Sequence, residues 1–315
     1  MMQFIQTRNK IVLFALLFLA VFETSTAVFA QQDSQYTNYM YNTIAINPAY
    51  SGSRGVMSVF GMHRNQWMGF DGAPITNVVA INTPIYDTNL GVGISFVNDK
   101  IGSSTENAIS ADLSYSIRTS ENYKLAFGIK ATAHLLNVDY TKLKIYDATD
   151  AVFQNNIQNQ FSPNIGAGMY FYSDKFYVGL SLPNFLETTY YNDNTISTAT
   201  EKMHYYFMSG YVFDLNENLK FKPAFLSKVV YGAPLQVDLT TNFMFFDRFE
   251  VGAAWRIDAA VSGLAGFQIT ENWMIGYAYD AETTKLRNYN SGSHEIFLRY
   301  EFKNKSEKVV SPRFF

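Results

Sequence analysis

The chain has 315 residues, of which 48% are hydrophobic, 17% aromatic and only 16% charged, and it contains no cysteine. A mean hydropathy of -0.08 excludes a helical membrane protein with several spans, because each span needs a run of about 20 apolar residues. The many aromatic residues and the low charge exclude a coiled-coil or disordered chain. The net charge of -3 offers no basic field to nucleic acid, and the lack of cysteine excludes disulfides and thiolate chemistry.

The first thirty residues predict a secretory signal peptide. Arg8 and Lys10 precede an apolar run at 11–22, and small residues follow up to Ala30. A basic start, a run of about a dozen apolar residues and small residues before the cleavage site are typical of such a signal, and the run is too short to cross a bilayer comfortably. We therefore predict that residues 1–30 are removed and that the exported protein begins at Gln31. No cysteine follows the cleavage site, which excludes a lipoprotein.

Residues 31–53 precede the first predicted strand and are polar, aromatic and almost uncharged. A flexible leader is rarely so rich in tyrosine, whereas tyrosines suit packing in a polar cavity or against a partner. We therefore predict either a periplasmic segment or a plug. Within it we predict a turn at Asn47, Pro48, Ala49 and Tyr50. This turn either docks the plug or a partner, or is a simple turn before the first strand.

After Gly55, apolar and polar residues alternate with a period of two. The clearest runs are 109–118, 123–135 and 235–245. Such alternation predicts strands with one apolar and one polar face, and these runs approach the length of transmembrane strands. Weaker runs occur at 55–63, 75–85, 90–97, 163–172, 175–183, 203–213, 218–226, 249–256, 259–269, 273–281 and 294–302. The total of about fourteen is an even number, which bacterial barrels prefer.

The connections between the predicted strands alternate in length. Tight turns follow the even-numbered strands, and long connections follow most odd-numbered ones, at 64–74, 98–107, 137–160, 185–202 and 281–293. Short periplasmic turns and longer external loops are typical of outer-membrane barrels. We therefore predict an all-β fold, a transmembrane antiparallel barrel at 54–303, with both termini in the periplasm and a periplasmic tail at 304–315.

Aromatic residues on the apolar faces predict girdles at the membrane interfaces. They include Tyr115, Tyr123, Trp273, Tyr277, Tyr279, Tyr300 and Phe302. The polar faces carry charged residues of both signs, which we expect in the lumen: Lys124, Lys130, Lys220, Lys222, Lys228, Asp112, Asp238, Glu250 and Arg256. These charges fit either a porin filter or a lumen filled by side chains or by a plug.

No motif for catalysis or for a cofactor is present. The four histidines are scattered, and neither a zinc-binding HExxH motif nor a nucleophile elbow nor a phosphate-binding loop occurs. Loop 137–160 could hold Ca²⁺ through the oxygen atoms of Asp147, Asp150, Gln154, Asn155 and Asn156, but these residues lack EF-hand spacing, so a plain polar loop is the simpler interpretation. We expect no enzyme, no cofactor, no metal, no nucleic acid and no small-molecule substrate.

Three blocks of sequence resemble the PorP/SprF family. They are QYTNYMYNTIAINPAYSGS from Gln35, HRNQWMGF with GAPIT at 63–76, and the final SPRFF. The resemblance spans residues 31–315. It implies an outer-membrane barrel of the type IX secretion system of Bacteroidetes, which supports secretion or surface attachment of a cargo adhesin, for several members in gliding motility. The implied partners are the secretion apparatus, the secreted adhesin and outer-membrane lipid.

Residues in these blocks are our candidates for contacts with a partner or plug. We expect Arg64, Gln66 and Trp67 at the outer end of the first strand, with Trp67 as an interface anchor and Arg64 either binding a lipid phosphate or bracing the loop. The tail, with Pro312 and Arg313, would contact the secretion apparatus or form an unstructured end. The alternative function is an outer-membrane porin or a hydrophobic-substrate channel.

Overall fold

The computed structural model describes residues 35–143, 156–186 and 202–302. The strands are β1 (Met57–Asn65), β2 (Ile75–Pro84), β3 (Leu90–Ile101), β4 (Ser104–Arg118), β5 (Lys124–Val138), β6 (Ile157–Tyr172), β7 (Phe176–Leu182), β8 (His204–Tyr211), β9 (Phe213–Asn216), β10 (Leu219–Val230), β11 (Gln236–Phe245), β12 (Phe249–Arg256), β13 (Ala260–Gln268), β14 (Trp273–Glu282) and β15 (Ser293–Phe302). One short helix, α1 (Thr43–Ile46), and the 3₁₀ turns Pro48–Tyr50, Tyr140–Lys142 and Lys285–Asn288 complete the elements. None of the helices in these ranges is long and apolar enough to cross a membrane.

The strands form one closed antiparallel barrel. Apart from β8 and β9, which do not pair with each other, the strands pair with their neighbours in sequence, and β1 pairs with β15 from Met57 opposite Phe302 to Asn65 opposite His294. The strands β8 and β9 are separated only by Val212, and both pair with β10. They are two parts of one barrel strand, so the fifteen strands make fourteen positions in the ring. Closure pairs the backbone groups that an open edge would leave exposed, and the predicted fold class is confirmed.

The two faces of the wall differ as the alternation predicts. On β5, Phe127 and Ile129 point outwards and are 42% and 61% exposed. The next residue, Lys130, points inwards and is 5% exposed. An outward band of large apolar side chains continues around the other strands. A water-soluble protein rarely exposes so large a contiguous apolar surface, whereas a lipid-facing wall requires one. The buried polar residues lie on the inner face.

The charges predicted for the lumen are mostly buried there. Seven of the nine have at most 7% of their surface exposed: Lys130, Lys222, Lys228, Asp112, Asp238, Glu250 and Arg256. Lys124 is exposed where β5 begins, and Lys220 pairs with Asp247 of a neighbouring turn. Both lysines lie at the short-turn end, where β5 and β10 begin. They are therefore outside the buried lumen.

The barrel has two distinct ends. At the short-turn end the connections are 85–89, 119–123, 173–175, 217–218, 246–248 and 269–272, and β1 begins and β15 ends there. At the long-loop end the connections are 66–74, 102–103, 139–156, 183–203, 231–235, 257–259 and 283–292. Outward aromatic rings pack in pairs near the short-turn end: Tyr123 stacks on Phe171 (5.2 Å between centroids), and Trp273 lies tilted against Tyr300 (4.6 Å). These rings lie where the sequence predicts an aromatic girdle at this end.

The prediction of a long connection at 98–107 is wrong. The strands β3 and β4 stay paired up to Ile101 opposite Ser104, and only Gly102 and Ser103 form the turn. The alternation ends earlier than the hydrogen-bonded ladder because the outward positions become polar. Asn98 donates from Nδ2 to Oδ1 of Asn107 on the outer face (2.8 Å). Beyond the apolar band both faces meet water, so hydropathy no longer marks the strand.

Candidate functional site in the barrel lumen

Residues 35–55, here named the lumen segment, run through the inside of the barrel from one end to the other. The segment begins at the long-loop end, where Gln35 and Gln236 exchange side-chain hydrogen bonds of 2.8 and 3.0 Å at the start of β11. It ends at the short-turn end, where Arg54 donates from Nε to Glu301 near the end of β15 (2.6 Å). The first and last described residues, Gln35 and Phe302, therefore lie at opposite ends of the barrel.

A cluster of buried charges holds the start of the lumen segment. Arg64 donates to Asp280 (2.7 Å) and to Glu295 (3.0 Å), and the three side chains are at most 2% exposed. Glu295 also accepts the backbone N–H groups of Thr37 (3.1 Å) and Asn38 (2.8 Å). Charged hydrogen bonds are stronger than neutral ones, especially away from water. We name these five residues the Arg64 cluster, and it ties the segment to β1, β14 and β15.

Lys130 holds the middle of the lumen segment. Its Nζ atom donates to the carbonyl oxygens of Ile44 (3.0 Å) and Ala45 (3.3 Å) of α1, and lies 3.5 Å from Asp112. The last carbonyls of a helix lack partners within the helix, and a cation satisfies them well. A four-residue helix has little stability of its own, so the lysine of the wall supports the local structure of the segment.

The predicted turn at 47–50 is a 3₁₀ turn that packs against glycines of the wall. Asn47 accepts from the backbone N–H of Ala49 through Oδ1 (3.0 Å) and donates through Nδ2 to the carbonyl of Met169 in β6 (3.0 Å). A Cβ atom on Gly128 would lie 2.6 Å from Cα of Ala49, and one on Gly168 would lie 3.0 Å from Cγ of Asn47. Glycine is therefore required where the two backbones approach this closely.

Aromatic side chains fill the space between the segment and the opposite wall. Tyr41 stacks on Phe297 with 4.5 Å between ring centroids, and its ring also faces Lys222 at 5.5 Å and Arg299 at 5.6 Å. Tyr50 packs edge-to-face on a tyrosine of β6 at 5.7 Å. Such contacts combine burial of a large ring with attraction between cation and ring. The tyrosines of the segment thus pack inside the barrel, in an apolar cluster that also contains Phe60 and Phe297 of the wall.

The candidate residues of the sequence block at 63–76 lie in the lumen and in the loop after β1. Arg64 points into the lumen and exposes 2% of its surface, so its guanidinium is not available to a lipid phosphate. Gln66 and Trp67 belong to the loop after β1. The indole of Trp67 donates to Glu282 (2.7 Å), and its backbone N–H donates to Ser293 (3.1 Å). Both contacts brace the loop against the end of β14 and the start of β15. The other two candidate residues, Pro312 and Arg313, lie outside the described residues.

Trp67 adopts a strained backbone conformation, with φ of 49°. A left-handed conformation is uncommon for a bulky residue, and it persists here because the surrounding contacts fix it. Met68 forms a reciprocal pair of backbone bonds with the neighbouring loop, to Gly292 (2.8 Å) and from Ser291 (2.7 Å). Loop 66–74 is therefore a rigid part of the long-loop end.

The described part of loop 137–160 offers little to a metal ion. Asp139 accepts hydrogen bonds from Thr141 (2.6 Å) and Asn156 (3.2 Å) and pairs with Lys142 (3.0 Å). The hydrogen bond from the Thr141 hydroxyl, and to a smaller extent the one from Lys142, lowers the pKa of Asp139 to about 2. No group of three His, Cys, Asp or Glu residues that could hold a metal occurs within the described ranges. The candidate ligands Asp147, Asp150, Gln154 and Asn155 lie outside them.

Several residues of the site were not predicted. Asp280, Glu295, Arg54 and Glu301 were not recognised as segment contacts, and neither was the glycine surface around Gly128. Their inward register on the predicted strands was a usable signal, because an acidic residue facing the lumen needs a partner. Which inward residues meet the segment depends on the path of the segment, which the alternation does not define.

Little free space remains beside the start of the segment. A cavity of about 30 Å³ lies between the segment and the wall, lined in part by Tyr36, Tyr39, Lys228, Asp238 and Arg256. A volume of this size holds about one or two water molecules. The arrangement is suited to retention of the segment.

Several solved outer-membrane proteins are similar to this structure. The toluene transporter TbuX of Ralstonia pickettii gives a TM-score of 0.49 at 9% identity, over 84% of this chain and 94% of that chain. Omp33 of Acinetobacter baumannii gives 0.45 at 10% identity, over 78% and 98%. A FadL homologue of Pseudomonas aeruginosa gives 0.43 at 12% identity, over 88% and 96%.

The sequence comparisons give one family and no individual relative. No curated protein matches the chain. The family profile described as "Type IX secretion system membrane protein PorP/SprF" matches residues 28–300, which include the lumen segment and all of the described barrel strands except the last two residues of β15. The chain belongs to the PorP/SprF family of type IX secretion system membrane proteins.

Proposed function

We propose that this protein is a non-enzymatic outer-membrane component of the type IX secretion system, which supports secretion or surface attachment of a cargo adhesin, with a role in gliding motility. The observation that carries the proposal is the family match over residues 28–300. The closed barrel with an apolar outer band supports a position in the outer membrane, which transmembrane barrels of this type occupy. The predicted signal peptide at 1–30 supports export.

The two barrel ends suggest which partners lie on each side. Short turns are periplasmic and longer loops external in outer-membrane barrels, so we place the short-turn end in the periplasm. The last described residue, Phe302, is at that end, and the tail at 304–315 with Pro312 and Arg313 would face the secretion apparatus. The long-loop end, with the braced loop 66–74, would face the adhesin outside the cell.

The contents of the lumen favour a support over a channel. The Arg64 cluster, Lys130 and the glycine surface hold the lumen segment along the full height of the barrel. Loss of these contacts would leave buried charges unpaired, which is costly. The alternative function, a porin or a hydrophobic-substrate channel, requires the segment to leave space for a solute.

The proposed function is tested by deleting the gene and comparing surface proteins. We expect loss of one or a few adhesins from the cell surface and of gliding, with unchanged uptake of small solutes. Complementation with the full chain provides the control, and complementation with 304–315 replaced by a Gly/Ser sequence of equal length tests the tail. An unchanged set of surface adhesins in the deletion strain would contradict the proposal.

A further inference from the structure

Four polar side chains form a hydrogen-bonded ladder across the outer face of β1 to β4, near the long-loop end. Nδ1 of His63 lies 2.8 Å from Oδ1 of Asn77. Asn77 donates from Nδ2 to Oδ1 of Asn98 (3.2 Å), and Asn98 donates in the same way to Asn107 (2.8 Å). The four residues stand directly opposite one another in the pairing of the strands. We name them the amide ladder.

The amide ladder begins where the lipid-facing band of this wall ends. Residues two positions apart on a strand share a face, and the next outward positions towards the middle of the barrel are Val79, Phe96 and Ile109. Their side chains are 50%, 40% and 50% exposed, as contact with acyl chains requires. The ladder is therefore the first polar row beyond the hydrocarbon on this side of the barrel.

The wall elsewhere lacks an equivalent row at this end. On β12 to β14 the outward positions stay apolar or aromatic up to the long-loop end, at Trp255, Val261, Tyr277, Tyr279 and Ala281. A polar row at the headgroup level is thus not a general feature of this barrel. It is confined to a part of the wall that includes β1 to β4.

The amide ladder retains hydrogen-bond donors and has a cation next to it. A side-chain amide nitrogen carries two hydrogens, and Asn77 and Asn98 each use one of them within the ladder. Lys100 is the next outward residue of β3 and is exposed. It stands opposite Ile75 and Thr105, so neither neighbouring strand places a carboxylate beside it on this face. This surface complements an anionic group that also carries hydroxyls.

We propose that the amide ladder and Lys100 bind the headgroup of an anionic glycolipid of the outer leaflet, with its phosphate at Lys100 and its sugar at the asparagines. A lipid fits because its acyl chains cover Val79 and Phe96 while its headgroup reaches the ladder, so that it continues the lipid contact of the band. The inference rests on the orientation given under the proposed function but not on a role in secretion.

Lipid binding to the purified protein tests this site. The protein, extracted from membranes in detergent, is titrated with diphosphoryl lipid A, and bound lipids are counted by native mass spectrometry. Asn98→Leu removes both central hydrogen bonds of the ladder, and Lys100→Gln removes the cation. We expect each variant to bind about fivefold more weakly, the factor that one hydrogen bond or one basic residue near a lipid surface contributes. With phosphate-free lipid A, Lys100→Gln should bind as the unchanged protein does.

Two matched controls lie at the same end of the barrel but outside the ladder. Asn288→Leu and Lys285→Gln make the same chemical changes in the exposed turn Lys285–Asn288. We expect both to bind diphosphoryl lipid A as the unchanged protein does. Heat-modifiable migration in gels verifies that each variant forms the barrel, and Asn107→Leu replaces Asn98→Leu if the latter does not fold.

The outcomes separate the site from its alternatives. Unchanged binding of diphosphoryl lipid A in both test variants, or equal losses in the controls, would overturn the site. Equally tight binding of phosphatidylglycerol would overturn the assignment to a glycolipid, and equally tight binding of the acyl-free phosphorylated disaccharide would overturn the assignment to a lipid. Surface adhesin levels, measured in strains that carry the same variants, report separately on the proposed function.

Discussion

Gly128 is a wall residue against which the backbone of the lumen segment packs closely in the turn region. A Cβ atom there would overlap the backbone of Pro48 and Ala49, and neither backbone can move without losing the Asn47 contacts. We expect Gly128→Ala to lower the free energy of unfolding by about 1–3 kcal/mol, as overpacking does in other cores. Urea unfolding in lipid vesicles measures this change.

Gly61→Ala is the matched control for Gly128→Ala. Gly61 is also in a strand, but a Cβ atom there would meet nothing within 4 Å. We expect no loss of stability from this substitution, because removal of a strand glycine is neutral or favourable when space is available. Equal stabilities of the two variants would show that the segment does not press on the wall at Gly128.

Arg64 is the only cation among the five members of the Arg64 cluster. In Arg64→Met, Asp280 and Glu295 would remain buried next to each other without their cation. We expect a loss of about 3–5 kcal/mol in the free energy of unfolding, the range found when one partner of a buried pair is removed. The same urea titration, followed by tryptophan fluorescence, provides the measurement.

Two further variants define the cause of the Arg64→Met effect. Arg287→Met changes an exposed arginine of the long-loop end and should alter stability little. The triple variant Arg64→Met, Asp280→Asn, Glu295→Gln should recover part of the loss, because the uncompensated charges are absent. A triple variant as unstable as Arg64→Met would mean that packing, and not charge, dominates at this position.

At the scale of elements, the lumen segment contains structure that depends on the wall. The tyrosine-rich composition of 31–53 indicated a plug or a periplasmic segment, and the described part lies inside the barrel. The helix α1 was not predicted, since four residues carry no detectable periodicity. It forms because Lys130 of β5 binds its last carbonyls, which is a contact between residues distant in sequence.

Removal of the lumen segment should open the barrel. We expect the full mature chain to show little steady conductance in planar bilayers, and a variant lacking residues 35–53 to form a conducting pore, because the side chains and backbone that fill the lumen are gone. Single-channel recording provides the measurement, and heat-modifiable migration shows that the shortened chain still forms a barrel. Steady conductance of the full mature chain would contradict a closed lumen and favour the channel alternative.

The strands themselves were the most predictable elements. The run 109–118 falls within β4 (Ser104–Arg118), and the run 123–135 begins one residue before β5 (Lys124–Val138) and otherwise falls within it; the two strands pair residue for residue. Their ends were less predictable, because pairing continues where the outer face is no longer apolar. At Asn98 and Asn107 hydrogen bonds between side chains replace apolar contacts with lipid, and the hydropathy pattern loses its contrast.

At the scale of the whole molecule, the barrel follows from the two solvents that contact its wall. Outside the barrel the solvent is lipid, which requires apolar side chains and paired backbone groups. Inside, the neighbour is a polar segment, which tolerates lysine, aspartate and asparagine. Each strand therefore alternates, and averaging over both faces yields a chain whose mean hydropathy is close to zero. Composition by itself cannot separate this case from a soluble protein.

By itself, the amino-acid sequence determined the barrel class, the approximate number of strands, the alternation of faces and the family. These properties are local or periodic, so they are encoded at short range along the chain. Only the tertiary structure decided that Arg64 faces the lumen, that the segment runs from the long-loop end to the short-turn end, and that Gly128 and Glu295 meet it. Those facts depend on contacts between residues as far as 258 positions apart, and no local pattern encodes the path of a segment through a closed wall.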